Sequence, residues 1–255
     1  IERHPVAGPE TIAALTDMLG DAASLVAVGS GTVNDIVKST AHARGLPYLA
    51  VGTALSMNGY TSAISALLDG GVKRTVTATP PIGVVIDLDI CAAAPLTMTL
   101  AGLGDMLSKP FSEADWRLAH HVDGGYHCEV PGNVLGAEFT RMLDDAAGIG
   151  IADPDALASL AESILLSGIS MAMAGVSSPA SGGEHLISHY WDMLCYARGE
   201  HPYALHGTQV GVACCMIEPL HHAVQALATA SPDLDAAMAR WPATEAECAD
   251  RVRSR

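Results

Sequence analysis

Four histidines are concentrated in the stretch from Ser181 to Gly207, SGGEHLISHYWDMLCYARGEHPYALHG. His185 and His189 stand four residues apart, so a helix would project both imidazoles from one face, one turn above the other. His206 follows an Arg-Gly-Glu-His-Pro break and belongs to a separate element. A cation held by His185 and His206 would tie two elements together, and a third ligand leaving positions open would make the site catalytic rather than structural. A solvated or core-bonded histidine pair is the competing account of the same spacing. His201, ahead of Pro202 in a charged loop, reads as surface. So do His120, His121, His127, His221 and His222, in polar helix ends or loops.

A further ligand is available upstream. Asp105 lies in LAGLGDMLSKP among small and apolar residues, where a carboxylate needs a partner. A cation would supply one; a helix N-cap role or an ion pair to Lys109 would serve the same need.

The elements that must position these groups are of two kinds. Residues 24–28, SLVAV, form an apolar run typical of a buried parallel strand and feed directly into GSGTVNDIVKSTA. In that strand-turn-helix order, Gly29 and Gly31 remove Cβ atoms so that a diphosphate can approach the backbone, and the amides of Thr32 and Val33 would point at it. The spacing is not G-x-G-x-x-G, because Asn34 stands where the last glycine would be, and a plain tight turn uses the same residues. Asp35 in the first helical turn suits the helix dipole. A second strand, residues 47–51, leads into GTALSMNGYTSA, which reads either as a ligand-facing loop or as a helix start capped by Thr53 or Ser56. Upstream, TIAALTDMLGDA has an amphipathic helix pattern with Thr11 as its cap, and residues 70–90 carry further strand patterns around Pro80-Pro81. From Ala94 onward the patterns are helical, many apolar nearly all round. The chain therefore divides near residue 93 into an α/β part, 1–93, and a helical part, 94–255.

Composition narrows the function. The 255 residues carry 13 Lys and Arg against 28 Asp and Glu, a net charge of −15, which repels nucleic acid and anionic membrane surfaces. Hydrophobic residues make up 49%, yet no uninterrupted apolar run looks long enough to span a bilayer. The six cysteines show no C-x-x-C spacing and no basic-then-apolar leader opens the chain, so a reducing, cytoplasmic setting is expected. Cys214 and Cys215 read as core filling.

In order, GSGTVNDIVK, VGTALSMNGYTSA, AAAPLTMTLAGLGDMLSK followed by DW, SSPASGGEHLISHYWD and LHGTQVGV resemble the successive motifs of glycerol-1-phosphate dehydrogenases. These belong to the iron-containing alcohol dehydrogenase, glycerol dehydrogenase and dehydroquinate synthase-like superfamily, and the resemblance covers about residues 24 to 215. It implies an α/β N-terminal nucleotide-binding domain, an all-α C-terminal metal-binding domain and an active site in the cleft between them. It implies a divalent metal (zinc, nickel or iron) on Asp105, His185 and His206. His189 and Asn58, with Asp105, would be catalytic. NAD or NADP would lie on Gly29, Ser30, Gly31, Thr32, Val33, Asn34 and Asp35, with Thr53, Ser56 and Ser62 lining the rest. The substrate would be dihydroxyacetone phosphate, sn-glycerol-1-phosphate or a related small polyol phosphate, and the assembly a homodimer or larger.

Three departures stand beside the resemblance. Asn58 replaces the aspartate that the family usually turns to substrate, and the glycine turn arrives early, at residue 29, with a short tail after about residue 215. The alternatives kept open are a dehydroquinate synthase-like cyclase acting on a sugar phosphate, and a relative that binds metal or nucleotide without turnover.

Overall fold

The computed structural model describes residues 5–229. In chain order they form α1 (Pro9–Met18), β1 (Leu25–Gly29), α2 (Gly31–Arg44), β2 (Tyr48–Gly52), β3 (Ile64–Asp69), β4 (Val72–Thr77), β5 (Gly83–Ile86), α3 (Leu88–Ala93) and α4 (Leu96–Met106). Helices α5 (Lys109–Asp123), α6 (Glu129–Asp144), α7 (Ala146–Ile149), α8 (Pro154–Ala174), α9 (Gly183–Ala197) and α10 (His206–Thr229) follow. By internal contacts the chain divides into Ile1–Ile217 and Glu218–Arg255. The sheet, α9 and the start of α10 with His206 lie in the first unit, which also contains the expected boundary near residue 93. Cys248 lies outside the described residues.

β1, β2 and β5 pair in parallel in that order, with Leu25 opposite Tyr48 and Leu49 opposite Gly83. α2 is the crossover between the first two strands, and Ala27, Val37, Ala41, Tyr48 and Ala50 form a small core beneath it. β1 was expected to be buried on both faces. Only Ala27 is buried, and Val26 and Val28 are 58% and 60% exposed, because among the described residues helices cover one face of this sheet. β3 and β4 form a separate antiparallel hairpin closed by Gly70 and Gly71 at φ +56° and +81°. Two consecutive left-handed residues are what a two-residue hairpin of matching twist requires.

Several local expectations are corrected. Gly8, not Thr11, caps α1, since the helix starts at Pro9 and leaves Thr11 inside it. No helix begins at Thr53 or Ser56; that stretch is the loop from β2 to β3, and β3 itself carries too few alternating residues to announce a strand. α3 already starts at Leu88, where the Asp87 carboxylate accepts from the amides of Asp89 and Ile90. Two helices, α8 and α10, are long and apolar enough by length and composition to cross a membrane, although Glu162 and Glu218 interrupt their apolar runs. Core helices pass the same test, and 61% of the apolar window of α8 lies inside the protein.

α8 anchors the larger core, with Leu157, Leu160 and Ile164 packed against Leu55, Tyr60, Met106 and Met142. Its buried small residues allow close approach on both sides: Ser163 donates to Glu138 O of α6 at 3.0 Å, and Gly168 faces the loop of residues 58–62. The tightest crossing joins α4 to α10. A Cβ on Gly207 would lie 1.9 Å from Ala101 O, and one on Gly104 would lie 2.4 Å from Gly207 O. Backbone meets backbone there, and the neighbours of these two glycines are Asp105 and His206.

Adding one methyl at this crossing must separate the helices, so Gly207→Ala is expected to lose about 3 kcal/mol or more of stability in urea unfolding. Gly136→Ala is the control: it sits in α6 with open space around it and should gain up to about 1 kcal/mol from helix propensity.

Candidate active site

Asp105 occupies the last turn of α4 and is 1% exposed. Its Oδ2 accepts the backbone amide of Asn58 at 2.9 Å, and its Oδ1 lies 3.3 Å from His185 Nε2 without a well-formed hydrogen bond. His185 comes from the first turn of α9, and His206 opens α10. One ligand atom from each of Asp105, His185 and His206 lies within 4.8 Å of the other two. Two histidines and a carboxylate with a bare, buried oxygen are a donor set that suits a divalent transition metal. His189 stacks near His206 with ring centroids 5.5 Å apart and 6.2 Å from His185, lining the same pocket outside the trio.

Charges at this pocket are strongly coupled. Burial alone would raise the Asp105 carboxyl, but the His185 imidazole 3.3 Å away and the Lys109 charge outweigh it and hold the group well below the usual carboxylate range. Burial would lower His185, yet Asp105 and Glu184 reverse this and raise it. His206 is driven well below its ordinary value, and His189 to about 4, by burial together with the Lys73 and His185 charges. Both are neutral imidazoles at pH 7, the form that offers a lone pair.

Four charged residues shape the pocket, and of these sequence reasoning named only Lys109. Glu184 is fully buried and accepts from His185 Nδ1 at 2.9 Å and from the Gly182 amide at 2.8 Å. Carboxylate support behind a ligating imidazole orients the ring and raises its basicity. Its position beside His185 was the available signal. Lys109 is buried and donates to Ser108 Oγ and Ala180 O, each at 3.1 Å. It contributes charge to Asp105, so the ion-pair account survives as a supporting role. Lys73, on β4, pairs with Asp192 at 2.7 Å.

Lys38 is the fourth. Its Nζ donates to Gly59 O, Ser62 Oγ and Ile64 O at 2.6, 2.9 and 3.0 Å, clamping the loop that carries Asn58 onto α2. Ser62 therefore spends its hydroxyl inside the fold, with further bonds to Gly59 O and Ile64 O. Asn58 bonds Asp105 through its backbone and lines the pocket, and its side-chain Nδ2 is buried with no partner. His127 was expected at the surface, yet its side chain is 9% exposed and meets Glu113 at 3.0 Å, because Trp116 packs on its ring. Cys214 is buried as expected but Cys215 is exposed, since adjacent helical residues cannot share one face.

The nucleotide turn takes a simple form. Ser30 caps α2 without a side-chain hydrogen bond, so the amides of Gly31, Thr32 and Val33 open the helix at the carboxyl end of β1. Such an uncapped N-terminus beyond a parallel strand suits a diphosphate. The two glycines are also needed internally: a Cβ on Gly29 would strike Val33, and one on Gly31 would strike Met57. The Thr53 amide donates to Gly29 O, joining this turn to the next loop, which also holds Ser56. Asn34 is buried, and Asp35 turns to β3, 3.4 Å from the Ala66 amide.

A parallel sheet thus feeds an open helix N-terminus, and an Asp-His-His trio is gathered from three helices. A family model of iron-containing alcohol dehydrogenases matches residues 2–95. Among individual proteins it is similar to a glycerol-1-phosphate dehydrogenase [NAD(P)+] of Bacillus licheniformis, 37% identical over 84% of this chain and 53% of that protein. The corresponding protein of Pyrococcus furiosus is 35% identical over 77% of this chain and 55% of its own length. The chain thus spans about half the length of the curated relatives it matches. In fold it resembles the crystal structure of a probable glycerol dehydrogenase from Sinorhizobium meliloti, with a TM-score of 0.68 at 24% identity, covering 83% of this chain and 61% of that one.

Burial raises Asp35 to about 6 despite the neighbouring Lys38, whose own value burial lowers to about 8. Between the unfolded carboxylate value and pH 6 the folded chain holds a proton on Asp35 that the unfolded chain has lost, so the Asp35 contribution to stability falls as pH rises through that window, opposite in sign to the contributions of His189 and His206. Asp35→Asn should remove this fall, on the order of 2–3 kcal/mol, from a pH series of denaturation midpoints.

Proposed function

We propose that this protein is a metal-dependent, NAD(P)-linked oxidoreductase that interconverts dihydroxyacetone phosphate and sn-glycerol-1-phosphate, or a closely related small polyol phosphate. The observation that carries the reading is the convergence of Asp105, His185 and His206, which come from three helices and have their donor atoms within 4.8 Å of one another. The similarity to enzymes named glycerol-1-phosphate dehydrogenase [NAD(P)+] supports the choice of substrate and cofactor. When bound, a divalent cation supplies Lewis acidity to a substrate oxygen and the nicotinamide gives or takes the hydride.

The chain's own residues have distinct tasks in this proposal. Asp105, His185 and His206 would hold the cation. Asn58 offers a side-chain N–H to a substrate oxygen in place of a carboxylate, so it binds without adding negative charge beside a phosphate ester. His189, neutral at pH 7, would hydrogen-bond a substrate hydroxyl. The open start of α2, from Gly29 to Val33, would take the cofactor diphosphate, with Thr53 and Ser56 on the adjoining loop. Free Cys91, Cys128, Cys195, Cys214 and Cys215 support a cytoplasmic setting, and we read the assembly as a homodimer or larger.

Purified protein supplied with zinc, nickel or ferrous ion, dihydroxyacetone phosphate and NADH or NADPH should consume the reduced cofactor. Asp105→Asn, His185→Ala and His206→Ala should each fall to background together with bound metal measured by elemental analysis. Absence of turnover under every metal and cofactor combination would sink the proposal. Consumption of no cofactor with release of inorganic phosphate would favour the cyclase chemistry instead. A large gain in activity from Asn58→Asp would mark the native site as impaired.

A further inference from the structure

A chain of side chains runs away from His206, and every link in it has a direction. His206 Nδ1 lies 2.9 Å from Ser188 Oγ, and Ser188 Oγ lies 2.9 Å from Gln209 Oε1. Gln209 Nε2 lies 3.0 Å from Asp192 Oδ1 and 3.2 Å from Ala204 O, and Asp192 Oδ2 lies 2.7 Å from Lys73 Nζ. Ser188, Asp192 and Gln209 are all buried, at 0%, 4% and 7% exposure, so water does not replace these partners.

The direction is set from the far end. A lysine ammonium only donates and a carboxylate only accepts. The Gln209 atom facing Asp192 also faces the Ala204 carbonyl, and two acceptors demand the amide NH2 there, which removes the usual ambiguity of an amide flip. Gln209 must then turn its carbonyl oxygen to Ser188. That oxygen has no hydrogen, so the single Ser188 hydroxyl proton is committed to it, and Ser188 can offer His206 only a lone pair. His206 Nδ1 must therefore be the donor. A neutral imidazole protonated at Nδ1 carries its lone pair on Nε2.

We infer that Ser188, Gln209, Asp192 and Lys73 are positioning residues that lock His206 in the Nδ1–H tautomer and so keep Nε2 bare for a cation. Glu184 performs the parallel task for His185 through a single carboxylate contact, whereas His206 is governed through a relay that reaches from α10 across α9 to the β3–β4 hairpin. The consequence for metal affinity rests on the metal-centre reading above; the tautomer itself does not.

Two measurements test the inference separately. In metal-free wild-type protein at neutral pH, long-range nitrogen–proton correlation spectra should show His206 protonated at Nδ1 and bare at Nε2. In Ser188→Ala and in Gln209→Met, which keep side-chain volume roughly constant, Nε2-protonated His206 should appear. Zinc affinity, measured by chelator competition, should drop roughly 10- to 100-fold, with Ser188→Thr retaining near wild-type affinity. Circular dichroism of each variant separates this from misfolding, and the spectrum of bound cobalt reports whether the ligand set changes. A wild-type His206 protonated at Nε2 overturns the inference, as does unaltered zinc affinity in both Ser188→Ala and Gln209→Met. Wild-type protein that takes up no zinc yet shows the Nδ1–H form retracts the metal centre and upholds the tautomer lock.

Discussion

Everything at this site depends on how closely α4 and α10 can approach. Gly104 faces the backbone of Gly207, and Gly207 that of Ala101, at distances no side chain tolerates, and Gly211 continues the contact with Gly104 one turn further along α10. Because Asp105 and His206 follow and precede these glycines in sequence, the helix spacing is transmitted to the donor atoms with no flexible segment between. Close backbone packing normally serves density. Here it also sets how near a carboxylate on one helix comes to an imidazole on the other.

The crossing brings charge into a place where charge is costly. Asp105 and Glu184 are both buried, and neither would remain ionised alone. They are balanced by His185 between them and by Lys109 behind, with Oδ2 of Asp105 and Oε1 of Glu184 also taking backbone amides. Asp105 Oδ1 remains without a well-formed partner. Glu184 Oε2 is unpartnered as well, and a buried network with two open acceptors carries a penalty that an added cation at Asp105 would partly offset, so the electrostatic balance and the proposed chemistry point the same way.

The two halves of the pocket are joined through loops rather than through a shared sheet. Lys38 on α2 holds the stretch from Gly59 to Ile64, and the Asn58 amide in turn holds Asp105. The helix that opens at the turn suited to a diphosphate and the cluster suited to a metal are thereby linked through two successive contacts. On the other side, the β3–β4 hairpin supplies Lys73 and Thr75, which face α9 and the pocket. A hairpin with weak strand signals thus becomes part of the site.

Local pattern alone determined much of this protein: the parallel strands, the glycine turn, the helical second half, and the pairing of His185 with His189 on one helix face. These follow from periodicity and turn chemistry, which act over a few residues. Sequence order also made Asp105 and His206 candidates, because a lone acid in an apolar run and a histidine after a break each stand out. What only the tertiary structure decided is which groups answer one another. Glu184, Lys38, Lys109 and the relay from Ser188 to Lys73 look like ordinary helix and strand residues, and His127 looks like a surface group until Trp116 covers it. Their roles arise from contacts between residues far apart in the chain, and the direction of a hydrogen bond exists only once both of its partners have met.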